Sequence, residues 1–170
     1  KPVVELIKLC QLAHHPLESG SPSGAHHMHA NLESTLSLTL GQALGLPSGA
    51  SEMALARADR EQLGTALMHS LTGQNLLAPA DVYRIVPRRT WVRRKAEARL
   101  SRDEFDGLYR LVRVQTLAEL VFGDAERAQA WLHSPKERLG GAAPMDFAAD
   151  TLGFEAVQAW LHEIDQGYFA

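Results

Sequence analysis

At 170 residues, with 45% hydrophobic and 22% charged residues, the chain has room for one large or two small domains, and its composition excludes wholesale disorder. No apolar run reaches the roughly 18–20 residues of a membrane-spanning helix. The single cysteine, Cys10, excludes an intrachain disulfide, a redox dithiol and a cysteine-rich zinc site, which fits a reducing cytoplasm. The net charge of −3 hides a division: residues 84–113 carry ten basic and four acidic side chains, residues 117–170 nine acidic and three basic. A positive segment for an anionic partner and a negative segment for another task are expected, unless the two neutralise each other within one fold.

In chain order, residues 3–13 read as a short apolar helix. Glu5 and Lys8 within it, and the lack of a small-residue cleavage site, argue against an export signal. The first residue is Lys1 rather than methionine, so a longer natural N-terminus is expected. Residues 14–30 hold Pro16, Gly20, Pro22, Gly24, three serines and five histidines. This is linker chemistry with no apolar face. His26, His27 and His29 have no carboxylate or cysteine at ligand spacing, so they read as solvated and no metal is expected. Leu36, Leu38 and Leu40 alternate like a strand, yet suit a helix equally well.

From Ser51 the pattern is strongly helical. Asp59 with Gln62 marks a start, Leu63, Leu67 and Leu71 recur every four residues, and Gly73 is expected to supply a left-handed stop. Pro79 opens a short helix bearing Val82, Ile85 and Val86, which Pro87 ends. A third, basic helix closes near Leu100, with Trp91 and Val92 expected on its inward face. Ser101 and Glu104 form a capping box before a long helix through Phe105, Leu108, Leu111, Val112 and Leu117 to Gly123. Asp124 caps a helix with Ala128, Trp131 and Leu132 that stops before Pro135. After a Gly140–Gly141 loop, a last helix over about residues 153–166 carries Val157, Trp160, Leu161 and Ile164 as a buried stripe. Gly167 ends it. The expected fold is all-α.

Three consecutive helices, the second short and the third arginine-rich, have the order of a helix-turn-helix unit. A helix fits the major groove, arginine donates two hydrogen bonds to guanine, and further cations neutralise phosphates. The candidate DNA-binding residues are therefore Arg88, Arg89, Thr90, Arg93, Arg94 and Lys95. Pro87 stands where such units usually have a glycine.

Pro87-Arg-Arg-Thr90, Leu100-Ser-Arg-Asp-Glu104, Leu108-Tyr-Arg-Leu111, Val121-Phe-Gly-Asp124, Ala130-Trp-Leu132, Leu139-Gly-Gly141 with Pro144, Gly153 with Val157, and Gly167-Tyr168 follow one another in a set order. This set resembles the antitoxins of the Xre/MbcA/ParS type, the partners of RES-domain toxins, over about half the chain; residues 1–58 carry no such likeness. The resemblance implies a C-terminal helical domain that docks over the active-site cleft of a toxin that consumes nicotinamide adenine dinucleotide. It also implies N-terminal helices that dimerise and repress the operon by binding operator DNA. The expected division is residues 1–58 as an N-terminal extension and linker available for dimerisation, 59–116 as the helix-turn-helix-like region and 117–170 as the toxin-binding domain. The candidate toxin-binding residues are Gly140, Gly141, Gly167, Tyr168, Phe169 and Ala170. The last three form an aromatic plug past a helix-ending glycine, and the acidic half mimics the charge of a dinucleotide. Leucines within residues 32–46 point to a homodimer contact.

Two rival readings remain. An enzyme needs a base beside a nucleophile or a metal. His133, Asp146 and His162 sit in no such motif, and the two histidines fall at helix ends that explain them. No catalytic residue and no cofactor is expected. A stand-alone regulator with a C-terminal dimerisation domain would share the basic helix but have no toxin partner.

Overall fold

The computed structural model describes residues 24–44, 59–74 and 76–168. Within them the chain forms α1 (Gly24–Ala43), α2 (Arg60–Gly73), α3 (Pro79–Ile85), α4 (Arg88–Glu97), α5 (Arg102–Phe122), α6 (Ala125–His133), a 3-10 turn (Glu137–Leu139), α7 (Pro144–Phe147) and α8 (Thr151–Asp165). No strand occurs among the described residues, so the fold is all-α. The expected helix over residues 3–13 lies outside them.

Most helix ends follow from local chemistry. Asp59, Asp124 and Asp150 each accept a hydrogen bond from a backbone N–H of the first turn that follows, satisfying donors that a helix start leaves orphaned. Ser101 and Glu104 form the reciprocal capping box in full: the Glu104 N–H donates to Ser101 Oγ and the Ser101 N–H to Glu104 Oε2. Gly123 closes α5 in the left-handed conformation at φ 63°. Gly73 does not act this way. It is the last helical residue of α2, and Gln74 closes the helix with right-handed backbone angles.

α4 ends on Ala98 at φ 49°, a left-handed position occupied by a side chain. The β-carbon is strained against the following carbonyl there. Ala98→Gly is expected to stabilise the protein by about 1 kcal/mol, read as a higher urea midpoint with an unchanged slope.

α5 is the axis of the molecule, and α1, α2, α3, α6 and α8 all pack against it. Its buried face runs through Phe105, Leu108, Leu111, Val112, Val114 and Leu117. One continuous buried cluster extends from Leu36 to Leu161, and α5 passes unbroken through residues 116 and 117 where the sequence divides the chain.

The N-terminal part departs from the linker reading. Residues 24–30 have helical backbone, in the first turns of α1; the side chains of His26, His27 and His29 lie outside the described residues. The alternating leucines resolve as helix. Leu36, Leu40 and Leu44 are buried in the chain's own core, so they are not the free dimer contact their composition suggested. The Ser70 hydroxyl donates to the Ala43 carbonyl, fastening α2 to the end of α1. Glu33 on α1 reaches Arg113 on α5 at 3.2 Å and His162 on α8 at 2.9 Å.

Candidate functional site

The basic helix is built as a short, outward lever. Pro79 starts α3 at its first turn, and Val86 and Pro87 separate α3 from α4. Trp91 is 6% exposed and roots α4 in the core. Arg94 is the second root. Its Nε lies 2.8 Å from Glu104 Oε2, and its Nη1 lies 3.3 Å from Glu97 Oε2.

The hydrogen bond to Glu104 raises the Arg94 pKa above its ordinary value, against desolvation. Burial pushes the Glu104 carboxyl up, but the Ser101 amide, the Arg94 guanidinium and the Ser101 hydroxyl hold it on balance below its ordinary value. The charge of Arg94 is thus engaged inside the fold.

Arg88, Arg89, Arg93 and Lys95 are exposed, and Thr90 is half-buried. Arg93 makes only a loose pair with Glu97 at 3.7 Å. Val92, expected beside Trp91 on the inward face, is instead 61% exposed; neighbours on a helix are turned by about 100°, so one of two adjacent apolar residues faces out. The positive surface continues into a cleft of about 510 Å3 lined by Arg94, Arg99, Arg102, Glu61 and Phe105 among others.

The charge division is partly cancelled and partly kept. Arg84 contacts Asp146 of the acidic half, Arg113 is tied to Glu33 and Gln158, and Arg110 donates to the Ala149 carbonyl at 3.2 Å. These cations serve the fold. Among the described residues no exposed cation of α4 is paired with an acid of the acidic half.

Around the buried Asp81 lies a polar knot that the sequence did not disclose. Asp81 on α3 is 0% exposed. Arg84 Nε lies 3.0 Å from its Oδ1, and His133 Nε2 at the end of α6 lies 3.0 and 3.1 Å from its two oxygens. His133 Nδ1 is 2.9 Å from the Gln129 carbonyl oxygen. His133, Asp146 and His162 are therefore occupied by partners far along the chain, more than helix-end solvation explains. Among the described residues no three His, Cys, Asp or Glu side chains gather as a metal site.

At the other end of the molecule, α8 closes in a left-handed cap. The Gly167 N–H donates to the Ile164 carbonyl at 2.9 Å and the Tyr168 N–H to the Glu163 carbonyl at 3.0 Å, the paired bonds of a Schellman motif. Gly167 has φ 82°. The motif aims the chain off the helix and leaves Tyr168 68% exposed. Phe169 and Ala170 lie outside the described residues.

The profile of the "Antitoxin Xre/MbcA/ParS C-terminal toxin-binding domain" matches residues 117–167. Over 147 residues the chain is 31% identical to "Antitoxin Xre" of Pseudomonas putida strain KT2440, an alignment covering 86% of this chain and 87% of that relative. The chain belongs to the Xre antitoxin family. It is an antitoxin of a toxin–antitoxin system.

In this antitoxin the matched segment contains a cluster of aromatic rings in edge-on and tilted contact. Trp131 meets Trp160 edge-on at 5.0 Å and Phe122 at 5.7 Å. Lys136 lies 5.6 Å over Trp131, and Arg138 lies 5.0 Å over Trp160. Arg138 also makes a two-pronged pair with Glu163 at 2.5 and 3.0 Å. That bond holds the Glu163 carboxyl below its ordinary value.

Two cations thus pin the loop of residues 136–141 against the ring cluster. Gly140 and Gly141, at φ 65° and 88° with open space beside them, form its exposed tip. Leu132, Val157 and Leu161 are fully buried, Trp160 nearly so and Trp131 half-buried, as expected of core. Leu152, 79% exposed at the start of α8, was not singled out by the sequence. No helix among the described residues is long and apolar enough to cross a membrane.

Proposed function

We propose that this antitoxin neutralises a RES-domain toxin, one that consumes nicotinamide adenine dinucleotide, by docking residues 117–170 over the toxin's active site. The Schellman-capped end of α8 carries the reading. It fixes the direction in which the chain leaves the helix and presents Tyr168 to solvent. An aromatic ring with a hydroxyl at its tip gains much binding energy when a partner's pocket buries it. The 136–141 loop with Gly140 and Gly141, Leu152, and the tail of Phe169 and Ala170 complete the proposed contact. The chain acts by occupying the pocket and performs no reaction itself.

Deleting residues 167–170 removes the plug but leaves the buried face of α8 intact. The truncated chain is expected to keep its cooperative unfolding transition and to lose about thirty- to a thousandfold in inhibition of the toxin, because an interface anchor contributes about 2–4 kcal/mol. Equal inhibition at equal concentration by a folded truncated chain would falsify the plug.

The second half of the proposal is repression of the chain's own operon, two copies reading two half-sites through α4. The support is an exposed helix face with four cations, of which, among the described residues, only Arg93 has an acidic partner, the loose pair with Glu97 at 3.7 Å. Affinity for the DNA upstream of the operon is expected to fall steeply with salt. Arg88→Ala, Arg89→Ala or Lys95→Ala should each lower the log–log salt slope by about one for every phosphate left without its cation. Arg94→Ala should leave the slope unchanged and instead cost about 2 kcal/mol of stability, because it strips the charged hydrogen bond from Glu104. Salt-insensitive binding would remove this role.

A further inference from the structure

On α4 the inward side is marked by Trp91 and the tethered Arg94. At about 100° per residue, a line through Val92 and Ala96 runs along the outward side, about 30° from the direction opposite Trp91 and Arg94. Arg88 and Lys95 run along one flank and Arg89 and Arg93 along the other. All six are exposed. The outward face therefore has a narrow apolar centre between two pairs of cations.

Val92 makes no contribution to the core that would explain a branched apolar side chain among arginines, and water hydrates it poorly. The floor of the major groove offers one apolar feature, the C5-methyl of thymine, and the phosphates on both sides offer anions. The match is of shape as well as charge: methyl groups on the centre line, cations at the rims.

We propose that Val92 is a specificity-determining residue that reads thymine methyl groups in the major groove, with Ala96 allowing the helix to approach closely. This rests on the reading of α4 as the DNA-binding helix. It adds the base class that the helix selects.

The test uses the intact antitoxin and the DNA segment directly upstream of its gene, prepared once with thymidine and once with deoxyuridine in its place. Deoxyuridine pairs identically and lacks only the methyl. The unaltered protein is expected to bind the uracil fragment more weakly, by about fourfold for each methyl contacted. Val92→Ala should weaken binding to the thymine fragment by a similar factor and bring the thymine-to-uracil ratio close to one. Its melting temperature and salt slope should stay unchanged, since the residue is exposed and uncharged.

If Val92→Ala keeps the original ratio while binding stays salt-dependent, the inference is wrong and α4 still binds DNA. If Val92→Ala leaves DNA affinity untouched but releases the toxin from the complex, the face belongs to a protein partner and the inference is likewise wrong. If the unaltered chain shows no salt-dependent binding to either fragment, the DNA-binding reading falls and takes the inference with it.

Discussion

Gly153→Ala is expected to destabilise the antitoxin by about 3 kcal/mol or more. A β-carbon at this position would lie 1.8 Å from the Phe147 carbonyl oxygen and 2.7 Å from its carbon. Both atoms are backbone of α7, so no side-chain rotation relieves the overlap. α8 must move away from α7, and the movement acts directly on Val157, Trp160 and Leu161, which α8 buries in the core.

Gly107 provides the contrast. A β-carbon there would come 2.6 Å from Ile85 Cγ2, the branch methyl of a half-buried side chain, which can shift where backbone cannot although its β-branch limits rotation. Gly107→Ala should therefore cost about 1–2 kcal/mol. Urea denaturation of both variants ranks them. A Gly153→Ala protein that melts with or above Gly107→Ala would mean that α7 and α8 slide apart freely, and the close approach would have no structural importance.

What the sequence disclosed divides by distance along the chain. The capping box of Ser101 and Glu104, the aspartate caps at Asp59 and Asp124, and the glycine stops at Gly123 and Gly167 rest on groups within about one helical turn, so spacing alone reveals them. The buried stripe of α8 was legible because its apolar residues share one face over several turns. The outward turn of Val92 was not. Two adjacent apolar residues on a ten-residue helix give no period from which to choose, and the burial of Trp91 with the tether of Arg94 to Glu104 fixes the rotation.

The helical start of α1 was obscured by Gly24 and by histidines, which are poor helix formers judged singly. The helix is held by Leu36, Leu40 and Leu44 further along it. The histidines misled for a related reason. His133 finds Asp81 52 residues earlier, and His162 finds Glu33 in another helix altogether. No local pattern records such pairs. The charge division was real as composition, yet Arg84, Arg94, Arg110 and Arg113 turned out to be ties within the fold, while Arg88, Arg89, Arg93 and Lys95 of α4 are exposed.

Asp81→Ala is the other substitution expected to act strongly, with a loss of about 3 kcal/mol. Asp81 lies in the first turn of α3, where its charge also meets the positive end of the helix, and Ala78 supplies no side-chain cap there. Removing the carboxylate leaves Arg84 with Asp146 as its remaining partner. The Nε2 of His133 loses both of its oxygens. A single deletion thus leaves Arg84 Nε and His133 Nε2 aimed at the place of a fully buried carboxylate, which costs more than the intact network contributes.

Asp81→Asn keeps the shape and one acceptor oxygen, so about half that loss is expected. Its effect should shrink when His133→Gln is added, because the two residues share one contact. α3 is fastened to α6 through this knot, and α4 follows α3 after only Val86 and Pro87, so Asp81→Ala should also let the α3–α4 pair open before the rest. Amide exchange in α4 would then run ahead of exchange in α5. Uniform protection across α4 and α5, together with a loss below about 1 kcal/mol, would show that apolar packing at Trp91 and Val82 alone holds the basic helix pair to the toxin-binding domain.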